Sequence, residues 1–454
     1  MSLPPFNRRS FLKTAAVTAI LPASLSSRLR AAETPANDRI TLGFIGMGKQ
    51  AGGLMGGFLN APGTQVVAVC DVDTTRRNAA KQKAEEYYSK KNATDFKGCT
   101  AYNDFRELLA RDDIDAVVIA TPDHWHAPLV IAAAKAGKEI YCEKPLCETI
   151  HESRAMVNAI RQQQRIFQIG SMQRSSPEFR WACEIVRAGK IGKIQRVEAG
   201  FGGPGKTCNL PAEELEAGLD WDMWLGPALQ RPYNSVLSPR GVHTHFPAWR
   251  DYWEYGGGMV TDWGAHHLDI TQWGLGMDDS GPVEVIPAEN PLKAQSGSKL
   301  VYANGVEVTH IPENGVTFFG TDGEVFVNRG KFKLTLNGKV LADSTAKPED
   351  ASQKPLGAGA LAEKSAKELL GSQTPILYES KDHKGDFLNA IRTRKDPICP
   401  IEVGAHSVIA CHLLNFAYRY GQRLKWDPAQ EKFLDGTGNP QWLTREYRDA
   451  WKVV

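Results

Sequence analysis

Residues 39–51 of the chain read RITLGFIGMGKQA. The apolar start is typical of a short buried strand, and it runs directly into Gly46, Gly48 and Ala51, the spacing G-x-G-x-x-G/A. Gly46 permits a tight turn, Gly48 lets backbone approach a pyrophosphate, and small Ala51 lets the next helix pack on the sheet. Phosphates would lie at that helix N-terminus, where free N–H groups favour anions. The stretch predicts a strand–turn–helix unit that binds a dinucleotide.

A carboxylate follows at the spacing that such a site requires. The predicted second strand ends at Asp71, about twenty residues beyond the glycines. Asp71 would accept hydrogen bonds from the ribose hydroxyls and repel a 2′-phosphate, so the sequence favours NAD over NADP. Arg76 and Arg77 lie close enough in sequence to weaken that preference.

Strand-like and helix-like segments continue to alternate up to residue 142, which indicates a doubly wound parallel sheet. Ligands of such sheets bind beyond the carboxyl ends of the strands, here at Thr121–His126 and Glu143–Pro145. The candidate cofactor-binding residues are therefore Gly46, Met47, Gly48, Asp71, Thr121, Pro122, His126, Glu143 and Lys144.

Lys144 lies between Glu143 and Pro145 at the end of the last of these strands. Because a residue before proline favours extended geometry, its side chain would point away from the following helix. A partly desolvated lysine beside a nicotinamide would have a lowered pKa, which suits proton transfer near neutrality. The alternative is an ordinary solvated lysine at a strand end.

A second candidate unit lies in residues 256–269, GGGMVTDWGAHHLD. If the helix begins at Met259, Asp262 and His266 are i,i+4 neighbours and Asp269 falls on the same face. An imidazole oriented by a carboxylate is a general acid/base pair. The alternative is a helix-terminal charge at Asp262 and a core histidine at His266.

These motifs together resemble the Gfo/Idh/MocA oxidoreductase family, which includes glucose–fructose oxidoreductase and inositol dehydrogenase. The family's E-K-P corresponds to Glu143-Lys144-Pro145, and its D-x-x-x-H pair to Asp262 and His266. The resemblance implies a Rossmann domain followed by an α+β domain whose open, mostly antiparallel sheet lies beside the nicotinamide. It also implies that Lys144, Asp262 and His266 are the catalytic group, and that sheet contacts form a dimer or tetramer.

Candidate substrate contacts come from histidine pairs and from aromatic residues, whose rings stack on sugars and also fill cores. Those named here are His124, Arg174, His245, Tyr252 and His267. No cysteine or carboxylate completes a zinc-like ligand set around the histidine pairs, so the sequence predicts no metal site.

The first 36 residues are a separate segment. Paired Arg8 and Arg9 before Phe-Leu-Lys, followed by a weakly apolar stretch, resemble a twin-arginine export signal. We therefore expect export to the periplasm through the twin-arginine machinery, with a membrane anchor if the signal is not cleaved. The net charge of the whole chain is +2 and the excess lies in this segment, so the near-neutral body argues against a nucleic-acid partner. The eight cysteines show no disulfide spacing and are read as buried free thiols.

The predicted domains are a signal segment (1–36), an NAD-binding Rossmann domain (37–163), a substrate and oligomerisation domain (164–400) and a C-terminal helix and tail that pack back on both (401–454). The expected function is that of an exported oxidoreductase that oxidises a small carbohydrate with tightly bound NAD. Two alternatives stay open: an NAD-dependent glycosidase, and a non-catalytic carbohydrate-binding protein.

Overall fold

The computed structural model describes residues 38–346 and 355–452. The strands of its first sheet are β1 (Ile40–Ile45), β2 (Thr64–Cys70), β3 (Thr100–Tyr102), β4 (Ala116–Ile119), β5 (Glu139–Cys142) and β6 (Phe167–Ile169). They pair in the order β3-β2-β1-β4-β5-β6, and every pair is parallel. The predicted doubly wound sheet is confirmed. Strands before β4 are added on one side of β1 and later strands on the other, and such sheets bind ligands at the point between β1 and β4 where this order reverses.

Helices cover this sheet because its strands are apolar on both faces. They are α1 (Lys49–Asn60), α2 (Thr74–Asn92), α3 (Phe105–Leu109), α4 (His126–Lys135) and α5 (Ile150–Gln162). Thr149 and Glu152 form a capping box that fixes the start of α5. A helix from far along the chain also packs here: Phe387 makes edge-on ring contacts with Phe58 and Tyr141.

The position of β6 moves the domain boundary. The sequence places residues from 164 onward in the second domain, yet Phe167–Ile169 pairs with β5 in the parallel sheet. The dinucleotide domain therefore extends beyond residue 163. Three residues of buried strand are too few to reveal from sequence alone which sheet they join.

The second domain is built on a ten-stranded sheet. Its strands are β7 (Ile194–Gly200), β8 (Pro282–Ile286), β9 (Lys299–Tyr302), β10 (Glu307–Ile311), β11 (Gly315–Gly320), β12 (Gly323–Asn328), β13 (Lys331–Leu336), β14 (Lys339–Asp343), β15 (Leu424–Asp427) and β16 (Lys432–Phe433). Their order is β14-β13-β12-β11-β7-β10-β9-β8-β15-β16. Within the described ranges only β7 and β10 pair in parallel, so the expected mostly antiparallel sheet is confirmed.

One face of this sheet is covered and the other is open. Along β11, Val316 and Phe318 are buried while Thr317 and Phe319 are half-exposed, the alternation of a one-sided sheet. The remaining helices are α6 (Pro177–Arg187), α7 (Trp221–Leu225), α8 (Met259–Asp262), α9 (Gly264–Leu275), α10 (Ala358–Leu370), α11 (His383–Thr393) and α12 (Ile401–Tyr420). Helix α12 contacts both α5 and α9, and so joins the two domains.

The C-terminal tail returns to the first domain, where the Trp451 ring lies 4.9 Å from that of Trp125. All eight cysteines are free thiols, and seven of them are buried. Within the described ranges, no helix is both long enough and apolar enough to cross a bilayer. The predicted export signal lies outside the described residues.

Candidate active site

The turn between β1 and α1 has the backbone that a pyrophosphate requires. Gly46 has φ of +83°, and a Cβ there would lie 2.8 Å from the backbone nitrogen of Thr121, so only glycine fits. A Cβ at Gly48 would meet no atom within 4 Å, so the turn is open on that side. Gly48 is also the N-cap of α1, whose first turn has no acidic residue and no side-chain cap. The helix N–H groups are left for an anion.

Asp71 lies at the end of β2 beside this turn. Its two oxygens accept hydrogen bonds from the backbone N–H groups of Met47 (2.6 Å) and Asp73 (2.8 Å). Burial raises the pKa of Asp71, while the charge of Arg76 and the two hydrogen bonds oppose the rise. Arg77 donates to the Asp71 carbonyl oxygen and to Asn103, so its guanidinium already has partners. Met47 contributes its backbone, because its side chain is buried in the core.

The loop after β4 borders the same groove. Thr121 and Pro122 line it, and the Thr121 hydroxyl is buried without a hydrogen-bond partner. His126, predicted to touch the cofactor, is instead fully buried behind the loop. Its ring nitrogens lie 2.8 Å from the Pro145 carbonyl oxygen and 3.1 Å from that of Thr121. The imidazole therefore positions two site loops, because both of its polar atoms are already occupied.

A strap formed by residues 237–250 of the second domain lies over the groove. Arg76 of α2 holds it: the guanidinium donates to the Gly241 carbonyl oxygen (3.0 Å), to the Ser238 hydroxyl (3.2 Å) and to the Pro239 carbonyl oxygen. The hydrogen-bond donors of the Arg76 guanidinium are thus used by the strap. Sequence reasoning missed this role because its partners lie more than 160 residues away.

Beyond the groove, the cleft between the two domains brings Lys144 and Asp262 together. The Lys144 ammonium donates to Asp262 Oδ1 (2.5 Å) and to the Asp262 carbonyl oxygen (3.0 Å). Burial would raise the pKa of Asp262, but the charges of Lys144 and Arg250 outweigh it and lower that pKa. The cleft therefore contains an ion pair whose ammonium is anchored at the carboxyl end of β5.

His266 lines the same cleft, but Asp262 does not orient it as predicted. The helix breaks at Trp263, between α8 and α9, and the carboxylate pairs with Lys144 instead. His266 Nδ1 is buried and has no hydrogen-bond partner within the described ranges. Burial and the charges of Lys144 and Arg329 hold the pKa of His266 well below its ordinary value, so the imidazole is neutral at physiological pH. Asp269 lies elsewhere, bonded to Arg174.

Two further carboxyl groups line the cleft. Glu143 is 4% exposed and accepts a hydrogen bond from Gln50 (3.0 Å), so it ties β5 to α1. Burial raises its pKa, although Lys144 and Gln50 oppose the rise. Burial and Glu148 raise the pKa of Asp123 well above its ordinary value. Burial therefore disfavours the charged form of both carboxyl groups.

The structure adds two arginines that the sequence did not single out. Arg250 lies 3.8 Å from Asp262 and stacks on Trp249. Arg329, in the turn between β12 and β13, has its guanidinium 4.6 Å from the centre of the Trp263 ring. Asn328-Arg329-Gly330 looks like an ordinary hairpin turn, so no sequence signal marks it as part of a cleft.

The five predicted substrate contacts do not line this cleft. His124, His267 and Tyr252 are core residues, and Arg174 is 2% exposed and bonded to Asp269 and Asp278. His124 contacts the Trp224 carbonyl oxygen (3.0 Å) and His267 that of Gly200 (2.5 Å). Tyr252 belongs to a buried aromatic cluster with Trp221, Trp224 and Tyr255, and His245 is exposed on the strap. Four of the five side chains are buried outside the cleft and the fifth, His245, is exposed, a distinction that sequence spacing could not reveal.

The residues present fit a dinucleotide. The open Gly48 turn, the uncapped start of α1 and the orphaned Thr121 hydroxyl form one continuous groove with Asp71. No group of three potential metal ligands occurs among the described residues.

Two family models match the chain: the NAD-binding Rossmann domain of the Gfo/Idh/MocA oxidoreductase family over residues 40–171, and the C-terminal alpha/beta domain of the same family over residues 156–326. A glycosyl hydrolase family 109 protein of Shewanella is 34% identical over 212 residues, 43% of this chain and 46% of that protein. An inositol 2-dehydrogenase of Rubrobacter xylanophilus is 33% identical over 159 residues, 34% of this chain and 42% of that enzyme. The match spans less than half the length of each curated relative.

Solved structures show the same fold. The aldose-aldose oxidoreductase of Caulobacter crescentus, complexed with glycerol, superposes with a TM-score of 0.55 at 18% identity, covering 85% of this chain and 99% of that one. The two family models together span more than half of the 454 residues. The chain belongs to the Gfo/Idh/MocA family of NAD-binding oxidoreductases.

Proposed function

We propose that this protein oxidises a secondary alcohol of a sugar or polyol, with NAD as hydride acceptor. The observation that carries the proposal is the cleft in which the Lys144–Asp262 pair and a neutral His266 lie beside the end of the dinucleotide groove. The inositol dehydrogenase relative supports a polyhydroxylated substrate.

The side chains divide the proton chemistry between them. A bound nicotinamide supplies the hydride acceptor, and the substrate carbon loses a hydrogen with its electron pair. His266 accepts the hydroxyl proton, because the neutral imidazole has a free lone pair. Lys144 donates a hydrogen bond to the oxygen as negative charge develops, and Asp262 holds the ammonium in place. Residues of the strap line both the groove and the cleft, where they would limit the access of water to the reacting atoms.

A second candidate function uses the same groups. The glycosyl hydrolase family 109 relative favours a glycosidase in which transient oxidation acidifies a neighbouring C–H. After releasing the hydroxyl proton to solvent, His266 would take the C–H proton and pass it to the departing aglycone oxygen. Water would then add, and the hydride would return to the sugar. The NAD would end the cycle in its starting redox state.

A single-turnover experiment tests these functions. Protein loaded with NAD and desalted is mixed with free aldoses, polyols and nitrophenyl glycosides, while reduced nicotinamide and nitrophenol are followed by absorbance. A dehydrogenase accumulates reduced nicotinamide with a free sugar or polyol; a glycosidase releases nitrophenol repeatedly without net reduction. Neither signal with any compound would contradict both functions and leave the carbohydrate-binding alternative.

We propose NAD rather than NADP as the cofactor, and Asp71 tests this preference. Asp71→Ala should weaken NAD binding by about 10- to 100-fold, the effect of losing hydrogen bonds to a charged group. NADP binding should weaken less, because the carboxylate no longer repels its 2′-phosphate. Calorimetric titration with each cofactor measures both constants, with Asp113→Ala as an exposed-carboxylate control. An equal loss for both cofactors would exclude this role.

We further propose that the protein is exported already folded, with its cofactor held tightly, and that it assembles as a dimer or tetramer. The twin-arginine motif supports export. The Arg76-anchored strap supports tight binding, since its residues line the groove and would add contacts to a bound dinucleotide.

A further inference from the structure

The cleft gathers three cationic side chains around the carboxylate of Asp262. Lys144, Arg250 and Arg329 surround one ionised carboxylate, that of Asp262. Lys144 and Arg250 lie 2.5 Å and 3.8 Å from it. Asp262 can therefore balance only one of the three cations.

The other acids of the cleft form no ion pair with these cations in the described part of the chain. Asp123 and Glu143 line the cleft and are buried, and neither lies within ion-pair distance of Lys144, Arg250 or Arg329. Asp251 is at the rim, with its side chain 43% exposed and 4.0 Å from Lys206. The interior of the cleft therefore attracts an anion.

Among the three cations, Arg329 is the one best placed to bind an anion. It stacks on Trp263, and no carboxylate in the described part of the chain lies within ion-pair distance of its guanidinium. Stacking on an indole holds the guanidinium plane while its N–H edges stay free. A planar fork of this kind matches a carboxylate by two parallel hydrogen bonds.

We propose that Arg329 binds a carboxylate of the substrate, so that the enzyme acts on acidic sugars such as uronic acids. The inference rests on the proposed function and names its substrate class. The hydroxyl to be oxidised faces Lys144 and His266 while Arg329 and Trp263 hold the acidic end of the ring. A neutral sugar would leave the guanidinium unpaired.

Binding measurements test this independently of turnover. NADH-loaded protein is titrated calorimetrically with D-glucuronate and D-glucose, and with D-galacturonate and D-galactose. We expect the wild type to bind at least one acid at least about 10-fold more tightly than its neutral partner, and Arg329→Gln to abolish that preference. Arg329→Lys keeps the positive charge but loses the planar guanidinium, so this variant should retain part of the preference for the acidic sugar. Arg196→Gln is the matched control, because Arg196 also stacks on a ring, that of Phe319, on the sheet.

Equal affinity of the wild type for acidic and neutral sugars would overturn the proposal. An equal loss of affinity for acidic and neutral sugars in Arg329→Gln would also overturn it, because the guanidinium would then bind a hydroxyl group that both kinds of sugar share. D-glucose 6-phosphate distinguishes the anions, and tighter binding of the phosphate than of D-glucuronate would also refute a carboxylate site. If acids bind through Arg329 but neither they nor any neutral sugar or polyol reduces the bound NAD, the proposed function fails while the anion site stands.

Discussion

Lys144→Ala is expected to lower the rate of substrate oxidation by about 10³-fold, with NAD binding nearly unchanged. The ammonium lies at the carboxyl end of β5 and donates two hydrogen bonds to Asp262, so its position is fixed before substrate binds. Removing a pre-positioned donor removes stabilisation of the transition state that a mobile water does not replace. His266→Ala should have an effect of similar size because it removes the proton acceptor. Stopped-flow reduction of bound NAD measures both rates.

The double variant sharpens this prediction. Since Lys144 and His266 act on one oxygen, their combined loss should be much smaller than the product of the single losses. Lys425→Ala is the control, an ion-paired lysine on β15 away from the cleft. Wild-type rates in both single variants would remove these residues from the reaction, and loss of NAD binding would assign Lys144 to the cofactor instead.

Acidification is expected to destabilise the protein strongly below about pH 6.5. Seven buried histidines have lowered pKa values: His124, His126, His266, His267, His310, His383 and His412. Burial is the main cause in each, because it disfavours the imidazolium. The unfolded chain therefore binds protons near pH 6.5 that the folded protein takes up only at lower pH. The contribution of these histidines to the free energy of unfolding is complete above the pKa that they have in the unfolded chain, and it is lost as the pH falls from there toward their pKa values in the folded protein.

The expected change is large. Between about pH 7 and about pH 5.5 the seven histidines together cost about 9 kcal/mol. Asp123 and Glu148 act oppositely, because burial raises their pKa values (that of Glu148 to about 8) and the folded state holds protons that the unfolded state lacks. They offset part of this loss, but the seven histidines outnumber them.

Urea unfolding at the two pH values measures this loss. His412→Gln tests one contributor, because His412 contacts the Cys147 carbonyl oxygen (3.1 Å) and Gln can keep that hydrogen bond. The variant should recover about 1 kcal/mol of the pH-dependent loss, with exposed His151→Gln as the matched control. A free energy of unfolding that is equal at both pH values would contradict the prediction.

The sequence identified which residues lie in the cleft better than it identified which of them contact one another. Lys144, Asp262 and His266 do lie in one cleft, but the expected Asp262–His266 contact is replaced by a Lys144–Asp262 ion pair. The helix is interrupted at Trp263, and the Asp262 carboxylate is held by Lys144, whose position on β5 the i,i+4 rule does not take into account. None of the five substrate candidates lines this cleft, and three of them, His124, Tyr252 and His267, are core residues, because histidine and aromatic patterns do not distinguish a core from a pocket.

By itself the sequence determined the parallel sheet, the glycine turn, the acidic residue after β2 and the family, because strand–turn–helix units and positive-φ glycines are encoded within short windows. Only the tertiary structure decided which side chains pair and which face the cleft. Arg76 meets the strap across more than 160 residues, Lys144 meets Asp262 across 118, and Arg329 reaches Trp263 from a hairpin turn. Such partners depend on distances that arise when the two domains pack, and no local pattern records them.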